Sequence, residues 1–162
     1  MPPSRRDWTT TELDRLTRSF AARWLVLIAL SLACLTSWAD DPNDVIMIAH
    51  PNVRVDTLAR DTARAIFGMR QRTWPDGQAV SVFVLPDSHP IHARFAKSLL
   101  DVYPHQLRLA WDRAVFSGTG QAPNRVSTQA ELLHHVASTP GGLGYIQRGY
   151  VNDSVRILSL AK

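Results

Sequence analysis

Four apolar runs of strand length lie between residues 45 and 160, and the stretches between them carry apolar residues at helical spacing. Val45 to Ala49 (VIMIA) is apolar at every position, which suits a strand covered on both faces, and His50-Pro51-Asn52 ends it. Leu58, Ala63, Ile66 and Phe67 then fall close to a helical stripe. Asp56 or Asp61 is available to cap that helix, and Gly68 stands where a C-cap wants a residue free to take positive φ. Pro75-Asp76-Gly77 reads as a turn, because proline presets φ and glycine accepts the left-handed region. Ala79 to Leu85 follows as the second strand, with Val80, Val82 and Val84 on one face and Phe83 on the other.

Ser88 is placed to cap the next helix, and Pro90 sits in its first turn, where a missing N–H costs nothing. Ile91, Phe95, Leu99 and Leu100 make its buried stripe. A further helix from Pro104 carries Leu107, Trp111, Ala114 and Val115 or Phe116 inward and ends at Gly118, after which residues 117–125 (SGTGQAPNR) read as a loop. Thr128 and Glu131 form a capping-box pattern ahead of Leu132, Leu133 and Val136. Residues 138–142 (STPGG) stop that helix, Leu143 to Ile146 reads as a short strand, and Val155 to Leu160 closes the chain as the last one. Strands alternating with helices predict a layered α/β domain.

The first quarter of the 162 residues reads differently. Residues 24–39 (WLVLIALSLACLTSWA) are apolar, follow five arginines, and end in Ser37-Trp38-Ala39, which fits a secretory signal cleaved after Ala39. The division expected is therefore 1–39 as export segment and 40–162 as the folded, periplasmic domain. A retained membrane anchor is the competing reading, although the run falls short of the roughly 20 apolar residues that span a bilayer. Cys34, the only cysteine, lies in that segment. Its loss would leave a chain without disulfides, thiolate ligands or a cysteine nucleophile. Cleavage would also remove five arginines and three acids, leaving 13 basic and 11 acidic side chains. That near balance, with no basic cluster, argues against nucleic acid as a partner.

Four pieces in order carry a resemblance: IFGMRQRTWPDG (66–77), FAKSLL (95–100), WDRAVFSGTGQAPNRV (111–126) and HHVASTPGGLGYI (134–146). Together they resemble the phosphate-type substrate-binding proteins of ABC transporters, in a short subgroup that keeps little more than one lobe. The resemblance implies an α/β fold of a single periplasmic-binding-protein-like lobe, with a central mixed sheet of about four or five strands flanked by helices. It implies solute binding without catalysis or cofactor, and makes Trp74 a packing anchor, the alternative being a ring that stacks on a ligand. Full-length members carry an arginine, a short spacer and Ser-Gly-Thr at the start of the helix holding the equivalent of Phe95. Backbone N–H groups at such a helix end suit a tetrahedral oxyanion.

This chain departs from that pattern. Leu85 stands near the expected arginine, Ser88-His89-Pro90 replaces Ser-Gly-Thr, Pro90 removes a donor, and Asp87 would repel an anion. Candidate ligand contacts are Ser88 and His89 at this helix tip, with Ser117 and Thr119 in the glycine-rich loop. One lobe cannot enclose a solute between two. The leading expectation is thus an exported, non-catalytic accessory or sensory module with an envelope protein partner, and the rival is an oxyanion binder completed by a homodimer or partner. A second rival is a metal-dependent enzyme using His89, His92, His134 and His135, against which surface histidines are the simpler expectation. Arg64, Arg70 and Arg72 form either a solvated face or a patch for an acidic partner.

Overall fold

The all-apolar segment Val45–Ala49 forms β1, and all five of its residues are buried. The computed structural model describes residues 41–161; the expected export segment and Cys34 lie outside them. After β1 come β2 (Thr57–Ala59), α1 (Arg60–Phe67), β3 (Ser81–Val84), α2 (Pro90–Ser98), α3 (Pro104–Phe116), β4 (Asn124–Arg125), α4 (Gln129–Ser138), β5 (Gly142–Gln147), a 3-10 turn (Arg148–Tyr150) and β6 (Arg156–Ala161). The strands make one mixed sheet in the order β2-β6-β1-β5-β3-β4. β1 runs antiparallel to both neighbours, with Met47 opposite Tyr145 on one side and Leu158 on the other, whereas β3 runs parallel to β5.

Both faces of the sheet are covered, which is why β1 carries no polar alternation. Successive residues of a strand point to opposite faces. On β5, Tyr145 turns to the aromatic rings of Phe67 and Phe95, contributed by α1 and α2. Gly144 turns the other way, and a Cβ there would lie 2.5 Å from Leu132 Cδ2 of α4. That glycine lets α4 seat Leu132 and Val136 directly on the sheet.

Local chemistry explains most element ends. Thr128 Oγ1 accepts from the Glu131 N–H at 3.1 Å and caps α4, while Glu131 Oε2 accepts from the Ser127 N–H at 2.7 Å, one residue before the expected partner. Thr128→Ala is expected to cost about 1 kcal/mol, read by urea unfolding, with Thr128→Ser close to wild type. The turn Trp74–Gly77 closes with a 2.9 Å bond from the Gly77 N–H to the Trp74 carbonyl, and Gly77 has φ +87°.

Several expectations are corrected. The mixed sheet flanked by helices is as expected, but it has six strands, because β2 and β4 are short edge strands in which only Leu58 is buried. Leu58 belongs to β2 and not to a helix. α1 starts after Ala59 without a side-chain cap: Asp56 pairs with Arg156, and Asp61 sits inside the first turn. Gly68 has φ −77°, and Met69 takes the left-handed conformation at φ 60°. Glycine is required at 68 for room, since a Cβ would stand 2.8 Å from the Arg64 carbonyl. The α2 cap is His89, not Ser88. Val115 and Phe116 point outward, with Phe116 88% exposed, because the helical phase set by Leu107 and Trp111 carries them off the buried stripe.

Candidate functional site

Two regions hold the residues singled out by sequence. The first is the C-terminal end of β3, where Leu85–His89 turns into α2. A helix begins with N–H groups that lack intrahelical partners, and here each has been used or removed. Pro90, at the first position, has none. The Ile91 N–H donates to His89 Nδ1 at 3.2 Å, and those of His92 and Ala93 donate to the His89 carbonyl at 3.0 and 3.4 Å.

Charge follows the same inward pattern. Asp87 Oδ2 lies 2.7 Å from the Arg108 guanidinium of α3 and 4.0 Å from that of Arg125 on β4. Its other oxygen lies 4.0 Å from His92 Nε2. His92 is fully buried, which corrects the expectation of a surface histidine at that position, whereas His134 is exposed as expected. Its Nδ1 bonds the Tyr145 hydroxyl at 2.5 Å, and that oxygen accepts from the Leu85 N–H at 3.0 Å. Burial pushes the Tyr145 phenol well above its ordinary range, so the hydroxyl keeps its proton. With Leu85 donating to the oxygen, that proton points to His92 Nδ1, which places the imidazole proton on Nε2, facing Asp87. Burial also lowers the His92 pKa, while Asp87 opposes the shift. Ser88 is exposed beside this network.

The second region is a groove of about 840 Å³ between the end of α1, the following segment to Thr73, and α3. Trp111 docks α3 there by donating from Nε1 to the Phe67 carbonyl at 2.7 Å. Ser117 and Thr119 line the groove, with their hydroxyls 2.8 Å apart. Ser88 and His89 are not among the lining residues, so the four candidate contacts fall in two places. Arg64, Arg70 and Arg72 all line it, joined by Arg113 of α3, and no Asp or Glu does. Sequence reasoning missed Arg113, whose only signal is its spacing with Gln106, Ala110 and Ser117 along one helical face.

Of the other two candidate histidines, His134 is exposed and His135 is partly buried. His135 stacks on Phe83 with ring centroids 5.4 Å apart and lies 3.9 Å from Glu131. Among the described residues no three His, Cys, Asp or Glu side chains gather in a group that could hold a metal ion. Trp74 is 2% exposed, with its Nε1 donating to the Gly141 carbonyl at 3.2 Å, as a packing anchor requires.

Comparison with solved structures finds the same fold in phosphate-binding proteins. A protein from Clostridium perfringens, assigned as a phosphate ABC transporter substrate-binding protein and solved with bound phosphate, matches with a TM-score of 0.56 and 17% identity over 72% of this chain and 44% of that one. An ABC-type phosphate transport receptor from Vibrio cholerae gives 0.54 and 14% over 72% and 45%. PstS from Borrelia burgdorferi gives 0.56 and 19% over 73% and 47%. The chain thus spans less than half the length of each, and the shared element is the fold of a single lobe. No protein-family model and no curated protein matches the chain.

Proposed function

We propose that this chain is a non-catalytic binding module built on one lobe of the phosphate-receptor fold, exported through residues 1–39 and acting as an accessory or sensory subunit in the cell envelope. The observation that carries this reading is the closed tip of α2. Pro90 supplies no N–H, and those of Ile91, His92 and Ala93 all end on His89. An oxyanion arriving there would find no free donor in the first turn and would meet the Asp87 carboxylate. That carboxylate already occupies Arg108, so the chain supplies its own negative charge where a receptor would hold a foreign one. A foreign anion would have to compete for that guanidinium with a carboxylate already tethered 2.7 Å from it.

Calorimetric titration with inorganic phosphate tests the proposal. No micromolar binding to the α2 tip is expected. Micromolar binding abolished by Ser88→Ala would overturn it and favour a receptor that completes its cleft with a second copy.

A further inference from the structure

We propose that the groove between α1 and α3 is a binding site for a small polyvalent oxyanion, a molecule carrying two or more phosphate or carboxylate groups. This goes beyond the reading of the α2 tip and does not depend on it.

The groove follows from side-chain size along one helical face. Gln106, Ala110, Arg113 and Ser117 are spaced by four, three and four residues and share the side of α3 that lines it. Ala110, with Ala114 one turn on, contributes only methyl groups and leaves open the depth that longer side chains would fill. The facing wall is the segment from Gly68 to Thr73, which turns at the left-handed Met69.

Its charge is one-signed. Two of the four guanidinium groups are held in place by carbonyls; Arg72 keeps its charge uncancelled, whereas Arg64 also pairs with two carboxylates. Arg64 Nε donates to the Leu100 carbonyl at 2.5 Å, and Arg72 donates to the Thr119 carbonyl at 2.7 Å. Gly120 lets the loop press on the latter, since a Cβ there would stand 2.8 Å from the Arg72 guanidinium. Asp61 and Asp101 reach Arg64 from outside the lining, at 3.1 and 3.2 Å. Arg70 and Arg113 form no salt bridge or side-chain hydrogen bond with the described residues, so their donor forks are open to the bidentate contacts that carboxylates and phosphates make. A concave surface carrying one sign of charge over low-dielectric walls concentrates counter-charge.

Size selects the class of anion. The volume of about 840 Å³ falls within the range of pockets for drug-sized ligands and far exceeds what one phosphate fills. Arginines on both walls call for negative groups that are separated. Met69, Val102 and Leu107 add apolar contact for whatever carbon framework joins them.

Calorimetric titration of the full chain with sodium tripolyphosphate, and separately with citrate, tests the proposal and tells phosphate from carboxylate chemistry. At least one of the two is expected to bind in the micromolar range, more weakly as salt rises, with inorganic phosphate far weaker. Arg70→Gln and Arg113→Gln should each weaken the bound anion by about tenfold, the loss of a charge-assisted contact. Neither side chain is tied into the fold, so both variants should melt with the wild type. Ser88→Ala and Arg54→Gln, outside the groove, should bind as wild type does, which separates this site from the α2 tip. The proposal is overturned if neither anion binds, if the Arg70→Gln, Arg113→Gln double variant binds as tightly as wild type, or if a hexa-aspartate peptide binds where both small anions fail.

Discussion

Trp74→Ala is expected to remove about 3–5 kcal/mol of folding stability, a loss comparable with the whole stability of a weakly stable domain, about 5 kcal/mol. The ring is almost wholly buried, and its backbone closes the hairpin through the 2.7 Å bond from the Trp74 N–H to the Gln78 carbonyl. Across the fold it meets the turn between α4 and β5, where Gly141 takes φ +75° and a Cβ would lie 2.1 Å from the Ala79 carbonyl. Hairpin and turn are in direct contact there, and the indole fixes that contact from the side. The Gly141 carbonyl also accepts from the Ser81 N–H at 3.2 Å, so losing the indole N–H leaves it with a partner. The expected cost is therefore mainly the cavity and lost burial, and Trp74→Phe should lie between alanine and wild type because it keeps most of the volume. Urea unfolding with an unchanged m-value is the measurement. A cost for Trp74→Ala below about 1 kcal/mol would place the ring outside the core and reopen a ligand-stacking role.

What could be read in the sequence was what nearest neighbours decide. VIMIA, the Pro75-Asp76-Gly77 turn and the Thr128 cap each carry their cause within a few residues, and each is found where expected. β2 and β4 have no such cause: three and two residues become strands because β6 and β3 offer them a paired edge. The rule that glycine takes the left-handed position fails at Gly68, because the close approach of the Arg64 carbonyl claims the glycine and passes the turn to Met69. Phe116 looks like core by type, but its place is fixed by the phase of Leu107 and Trp111. The candidate sites depend on longer separations. Arg64, Arg70 and Arg72 stand together in sequence, yet the groove they line needs α3, which Trp111 ties to a carbonyl 44 positions away. His92 finds its partner Tyr145 53 positions away, a pairing that no local pattern announces.

Tyr145→Phe is expected to cost about 2–6 kcal/mol at neutral pH, because it strands two buried groups at about 1–3 kcal/mol each. The ring would keep its stack on Phe95, with centroids 3.8 Å apart. What is lost is the hydroxyl that satisfies the Leu85 N–H and His92 Nδ1. The same network makes the fold sensitive to acid. Burial lowers the His92 pKa in the folded state; Asp87 raises it in part, and Arg125 and His89 lower it further. The unfolded imidazole titrates near its ordinary 6.5. As pH falls below that value, the unfolded chain therefore takes up a proton that the folded chain still refuses. Stability falls with falling pH until the folded imidazole is protonated too, with a slope of at most about 1.4 kcal/mol per pH unit from this one group. Urea unfolding of wild type and His92→Asn between pH 7.5 and 5 isolates the effect, because every other titrating side chain is common to both. Asparagine shifts the whole curve through altered packing but cannot take up the proton, so the wild type should lose more stability across the interval. Equal slopes would mean that His92 does not remain neutral inside the fold, and its Nδ1 would then donate to the Tyr145 oxygen alongside the Leu85 N–H.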